Sequence, residues 1–186
     1  MFSFREAKVS DAQLILDWRS KDRITKFMMS DIEYNINSQK KWLQDSLNRP
    51  DKFHWIINYN GLDIGLISII DYKPDLKETT WGYYIGEDSA LGKGWSFPPF
   101  FYNFVFDRLG IEEIKAWVFY DNLQTIKMHL MHGYIFSPSA NYVIKKNGQD
   151  ILIICLILMK DDFKSSKYAR FKKDFPMSNW SNRIKI

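Results

Sequence analysis

Tyr83-Tyr84-Ile85-Gly86-Glu87-Asp88-Ser89-Ala90-Leu91-Gly92-Lys93-Gly94-Trp95 is the stretch on which the reading of this sequence turns. The aromatic and β-branched run from Trp81 to Ile85 predicts a strand that stops at Gly86. Two glycines then flank a lysine just ahead of an amphipathic helical stretch, Ser96 to Leu109. A strand that ends in a glycine-rich turn feeding a helix predicts an anion cradle. The first N–H groups of a helix have no internal partner, and the helix dipole adds positive potential there. Pro98 and Pro99 fall in the first turn of that helix, so the cradle must use amide hydrogens that precede Pro98.

Upstream of this turn, Phe2–Ala7 reads as a strand. Ser10-x-x-Gln13 is a capping-box pattern that opens a helix carrying Leu14, Ile15 and Trp18 on one face. Asn37 or Ser38 can cap a second helix with Trp42, Leu43 and Leu47, ended by Pro50. His54–Tyr59 and Ile64–Asp71 read as strands joined by Asn60-Gly61, a strong hairpin signal, and Thr79–Ile85 follows them. Downstream, Ile114–Phe119 is a strand. Asp121 or Asn122 begins a helix that Gly133 can end in a left-handed cap. Asn141–Lys145 and Ile151–Met159 pair across Asn147-Gly148. The expected fold is α/β, a mixed, mostly antiparallel twisted sheet of about seven strands flanked by helices.

The length suits one domain, residues 1–159, with residues 160–186 as a basic extension whose spaced aromatics (Tyr168, Phe171, Phe175, Trp180) pack on the body. Cys155 is the only cysteine and lies in an apolar run, so it reads as buried and structural, in a reducing, cytoplasmic setting. No secretory signal or membrane span is expected from the apolar runs. The net charge of +4 suits acidic small molecules such as nucleotides rather than nucleic acid. His54 and His132 have no partner at metal-ligand spacing and read as structural, and no metal is expected.

The element order, with its glycine turn after the fourth strand, resembles the GCN5-related N-acetyltransferase (GNAT) family from about Phe2 to Met159. The family's phosphate turn, Q/R-x-x-G-x-G/A, is here Ser89-Ala90-Leu91-Gly92-Lys93-Gly94: both glycines match, and Ser89 replaces the leading residue. Its second motif is matched by Asn122, Thr125, His129 and Gly133-Tyr134. The resemblance implies acetyl-CoA as co-substrate. Its pyrophosphate would lie on the amides of Leu91, Gly92, Lys93, Gly94 and Trp95, with charge from Lys93 and Lys127. Asn122 and Thr125 would line the same groove. The backbone N–H of Ile85 or Gly86 would steady the oxyanion. His129 stands where the family usually has tyrosine, and near its ordinary pKa of about 6.5 it would protonate the leaving thiolate. Relatives often carry a glutamate where this chain has Thr80. Glu78, on the same strand face, is the nearest carboxylate to act as base, with a water chain as the alternative. Gly82 is expected to mark a bulge where strands splay and the pantetheine arm inserts, or else to be a packing glycine.

Asp17-Trp18-Arg19, Phe27-Met28 and Gln39-x-x-Trp42 are similar to the branch that acetylates nucleotide-linked amino sugars, as in pseudaminic acid biosynthesis. That resemblance implies Arg19 on the nucleotide phosphates and Met28 on the base or sugar. Trp81 and Tyr83, alternating outward, would stack on the acceptor. The acceptor would then be a small-molecule amine, with a homodimer left open. Acetylation of protein N-termini, ribosomal proteins or polyamines is the alternative within enzymes. A non-catalytic CoA-binding sensor is the alternative outside them.

Overall fold

In the computed structural model, which describes residues 1–178, eight strands form one sheet in the order β1-β2-β3-β4-β5-β8-β6, with β7 also paired to β8. The strands are β1 (Phe2–Glu6), β2 (Phe53–Tyr59), β3 (Leu62–Lys73), β4 (Glu78–Ile85), β5 (Glu113–Phe119), β6 (Ile135–Phe136), β7 (Tyr142–Lys146) and β8 (Gln149–Met159). The strand beyond the expected seven is β6, whose two residues are too short to leave a periodic signal. The helices are α1 (Ala12–Arg19), α2 (Asp22–Thr25), α3 (Ile36–Leu47), α4 (Pro98–Arg108), α5 (Leu123–Met131) and α6 (Lys160–Ser165).

Both asparagine–glycine hairpins form as read. Asn60 and Asn147 have φ of 52° and 51°, and Gly61 and Gly148 also lie at positive φ, the geometry a type I′ turn requires. Gly133, at φ +97°, ends α5 in a Schellman motif: Tyr134 N–H donates to the His129 carbonyl and Gly133 N–H to that of Leu130. Two caps fall elsewhere than expected. Asn35, not Asn37 or Ser38, caps α3 by accepting from both their amides. At α1 the N-cap position is Asp11, not Ser10, and its side chain caps no α1 amide. It turns back to accept from Lys8 N–H ahead of the 3-10 turn Val9–Asp11, held by both arms of Arg5.

The sheet separates two cores. The larger, under α4, gathers Trp55, Trp81, Phe97, Phe101, Tyr102 and Leu156. The smaller, under α1 and α3, gathers Ile15, Trp18, Leu43 and Leu66. The segment after β8 covers the larger core: Phe163 is fully buried, and Phe175 stacks on Phe4 at 4.0 Å. Trp180 lies outside the described residues. His54 bridges Ser46 and Ser68 through both ring nitrogens, at 2.6 and 2.7 Å, so its role is structural. Cys155 is fully buried in β8.

One glycine controls the junction of sheet and α1. A Cβ on Gly86 would sit 2.1–2.3 Å from the root of the Trp18 indole, which is fully buried and donates to Glu87. Gly86→Ala is therefore expected to cost about 2–3 kcal/mol by overpacking, measured as a lowered urea midpoint. A midpoint equal to the parent's would show that Trp18 yields without cost.

Candidate active site

Strands β4 and β5 are the sheet's parallel neighbours, and they pair only from Glu78 to Thr80 against Glu113 to Lys115. Beyond Thr80 they part, as expected near Gly82, although the register slip itself lies in β3 between Ile69 and Asp71. The parting leaves a split flanked by the end of β4. Gly86 N–H donates to the Ile64 carbonyl at 2.7 Å, on the β3 side. Backbone polarity alternates along a strand, so the N–H of Ile85 points the other way, into the split. Of the two oxyanion donors expected from sequence, Ile85 is thus the one the geometry offers.

The turn after β4 is wound more tightly than the sequence suggests. Asp88–Lys93 is a 3-10 helix, Ala90 donates to Glu87 and Gly94 to Leu91, and α4 begins only at Pro98. Part of the expected cradle is therefore occupied by its own i→i+3 bonds. Leu91 and Gly92 are exposed, Lys93 and Trp95 half-buried, and the space above Gly92 is open to 4 Å. This leaves room for a ligand to approach the backbone, so the turn fits a phosphate-bearing co-substrate. Arg23 fastens the strand end by donating to the carbonyls of Ile85 and Gly86 at 2.6 and 2.7 Å and to Asp88. Lys21 joins it on Gly86 and Asp88.

Asn122, Thr125 and His129 lie along one face of α5 at helical spacing. Asn122 caps the helix by accepting from Thr125 N–H, and Lys127 is exposed. The Tyr83 hydroxyl joins α5 to the turn, 3.0 Å from Met128 Sδ and donating to the Gly94 carbonyl at 3.1 Å.

Four expectations change here. His129 is 3% exposed, packed against Tyr134 and the edge of Trp81, and its Nδ1 has no partner. Burial, helped by His132, pushes its pKa down to about 3. It is neutral at pH 7 and offers a ring N–H as a hydrogen-bond donor, not an imidazolium proton. Glu78 is bonded to Lys115 and Lys73, the Lys115 bond being the main cause that holds its carboxyl below the usual range. A carboxylate so paired, at the far end of β4 from the split, is a poor base. Thr80 is the last paired residue there, half-buried. Trp81 and Tyr83 do share a face, but it is the inner one. Trp81 stacks on Phe101 and donates to Tyr134, and Tyr83 stacks on Trp81. A strand between two cores buries both faces, so alternation does not tell inward from outward. Met28 packs beside the smaller core rather than in the cavity next to it.

That cavity, about 250 Å³, is lined by Arg19, Gln39, Trp42, Ser30 and the 31–33 segment. Arg19 is 7% exposed and its guanidinium lies 4.8 Å over the Trp42 ring. Its bonds are long: 3.5 Å to Gln39 Oε1 and 3.4 Å to Ser30 Oγ. Its Nε, the Gln39 amide nitrogen and the Tyr84 hydroxyl are buried without partners. No carboxylate among the described residues pairs with it, and burial lowers its pKa. An uncompensated cation whose own Nε is unpaired, beside the unpaired Gln39 amide nitrogen in the cavity wall, fits an oxyanion. The sequence marks Arg19, and Gln39-x-x-Trp42 as part of the acceptor resemblance, but gives Trp42 no role of its own, and Tyr84 and Ser30 go unmarked. For Tyr84 the only available signal is its place two residues before Gly86.

The sequence family described as the acetyltransferase (GNAT) domain matches residues 4–152. The chain is 25% identical over 157 residues to acetyltransferase PseH of Campylobacter jejuni subsp. jejuni serotype O:23/36 (strain 81-176), covering 83% of this chain and 90% of that one. The PseH of serotype O:2 is 24% identical over the same length. Among solved structures, spermidine N-acetyltransferase from Vibrio cholerae in complex with CoA and spermine superposes with a TM-score of 0.78. It is 12% identical and covers 87% of this chain and 97% of its own. A dodecameric structure of the Vibrio cholerae spermidine enzyme superposes with a TM-score of 0.72 at 13% identity, covering 88% and 96%.

Proposed function

Because this chain belongs to the GNAT acetyltransferases, enzymes that use acetyl-CoA, we propose that it moves the acetyl group onto the amine of a nucleotide-linked amino sugar. One observation carries the acceptor: the Arg19 guanidinium is buried beside a cavity and has no carboxylate partner among the described residues. A diphosphate in that cavity would supply the missing charge and accept from Arg19 and Gln39. The likeness to PseH supports the same reading. Asp31 and Glu33 give the rim some acid, but Asp31 is paired with Lys146. A polyamine or a basic peptide would meet the Arg19 cation at the floor.

In the reaction the neutral amine attacks the thioester carbonyl, the C–N bond forms and the C–S bond breaks. The Ile85 N–H steadies the oxyanion, a donor of a kind worth about 3 kcal/mol. The attacking nitrogen becomes an acid as it loses its lone pair, so the proton it sheds can reach the sulfur directly or through water. Neutral His129 contributes a hydrogen-bond donor beside that path. Asn122 and Thr125 line the groove, and the amides of Leu91, Gly92, Lys93 and Trp95, with the exposed Lys127, face the diphosphate of the co-substrate. Contrary to expectation, Gly94 N–H donates to the Leu91 carbonyl, and the Lys93 ammonium lies over the Tyr59 ring rather than at the turn.

The test is a thiol-release assay against UDP-, dTDP- and GDP-linked amino sugars, polyamines and N-terminal peptides. Turnover is expected with a nucleotide sugar. Turnover confined to polyamines or peptides would overturn the acceptor, and CoA binding without any turnover would favour a sensor.

A further inference from the structure

The geometry points to Lys146 as a positioning residue that straps the acceptor-binding loop across the split. This rests on the acceptor reading above. The loop between α2 and α3 carries Ser30, Asp31, Ile32 and Glu33, which line the cavity beside Arg19. From Met28 to Tyr34 it forms neither helix nor strand, and Asn35 then caps α3. Its position must therefore be set by contacts from outside the loop.

At one end Tyr34 is held by Asp17 and Gln13 of α1, and Ser30 accepts a long bond from Arg19. The remaining contacts come from distant parts of the sheet. Lys146 closes β7 just before the Asn147–Gly148 turn, and its side chain is 6% exposed. Its ammonium donates to the Met28 carbonyl at 2.8 Å and to Asp31 Oδ1 at 2.9 Å. Elsewhere on β7, the Tyr142 hydroxyl lies 3.3 Å from Met29 Sδ, and Phe27 meets the edge of Phe119 on β5. Phe27, Met28, Met29 and Asp31 are therefore fastened to β5 and β7, whereas the cavity the loop walls is built on α1 and α3. A second cavity, about 400 Å³, is lined by Lys146 itself, with Lys26, Tyr120 and the β7–β8 turn. The Lys146–Asp31 pair thus stands between the two spaces. Cutting it frees Asp31 and the Met28 backbone from β7 and leaves the loop held beside Arg19 by the long Ser30 bond and by Tyr34.

Lys146→Met is a suitable probe. It removes the buried ammonium and leaves Asp31, 68% exposed, to water rather than as an orphaned charge. In the variant, amide hydrogen exchange is expected to rise across residues 27–34 and not in β4 or α4. KM for the acceptor is expected to rise about fivefold or more, with kcat and the KM for acetyl-CoA nearly unchanged. A purely structural role would instead lower the unfolding midpoint and move both KM values together. Unchanged exchange across 27–34, or raised exchange with the acceptor KM unmoved, overturns the strap. If the parent enzyme acetylates no nucleotide sugar, it is the acceptor reading that fails. The KM comparison is then made with whichever amine the substrate panel identifies.

Discussion

Replacing Arg19 with leucine is expected to lower kcat/KM for the nucleotide-sugar acceptor by about two orders of magnitude, since truncating one partner of a buried charge pair costs about 2–5 kcal/mol. The KM for acetyl-CoA should stay close to the parent's. Arg19 belongs to α1, on the side of the smaller core, whereas Ala90 of the glycine turn packs in the larger one. The stability of the variant separates this from a folding defect. In the free protein the guanidinium is buried with two long hydrogen bonds and an unpartnered Nε. A buried charge without a counter-charge destabilises the fold, and an apolar side chain of similar volume relieves that cost. Arg19→Leu should therefore melt at the parent's temperature or above it while losing the acceptor. Unchanged acceptor kinetics would remove Arg19 from the site, and a large fall in melting temperature would make it a structural residue.

How much of this is legible in the sequence depends on whether the signal is local. The two asparagine–glycine hairpins, the glycine that ends α5 and the order of elements follow from turn chemistry and periodicity, which act over a few residues. The site is less local. That Arg19 and Gln39 meet, 20 residues apart, requires α1 to pack on α3, and that Lys146 reaches Met28 requires the whole sheet. The burial of Trp81 and Tyr83 escapes the sequence because β4 is covered on both faces, so alternation carries no sign. The ionisation of His129 escapes it for a related reason. A motif position fixes which residue stands there, but the neighbours that strip it of water come from β4 and from the residue after Gly133.

The same burial makes a second large effect. The folded protein holds His129 near a pKa of about 3 and His132 near about 4, burial being the main cause for each, while the unfolded chain returns both to about 6.5. Below 6.5 the unfolded state then binds more protons than the folded one, so stability falls as pH falls toward the folded values. From pH 7 to pH 5 each histidine is expected to remove about 2 kcal/mol of stability, before any contribution from carboxylates. Urea unfolding at the two pH values measures the sum. His129→Gln, which cannot titrate, should reduce the loss by about 2 kcal/mol. If the variant and the parent lose equal stability, His129 is protonated in the folded protein and the imidazolium is available after all. In that case the pH profile of kcat should show a limb near the histidine range that vanishes in the variant. If His129 is neutral, that limb is missing from both, and the proton that reaches sulfur comes from the acceptor nitrogen.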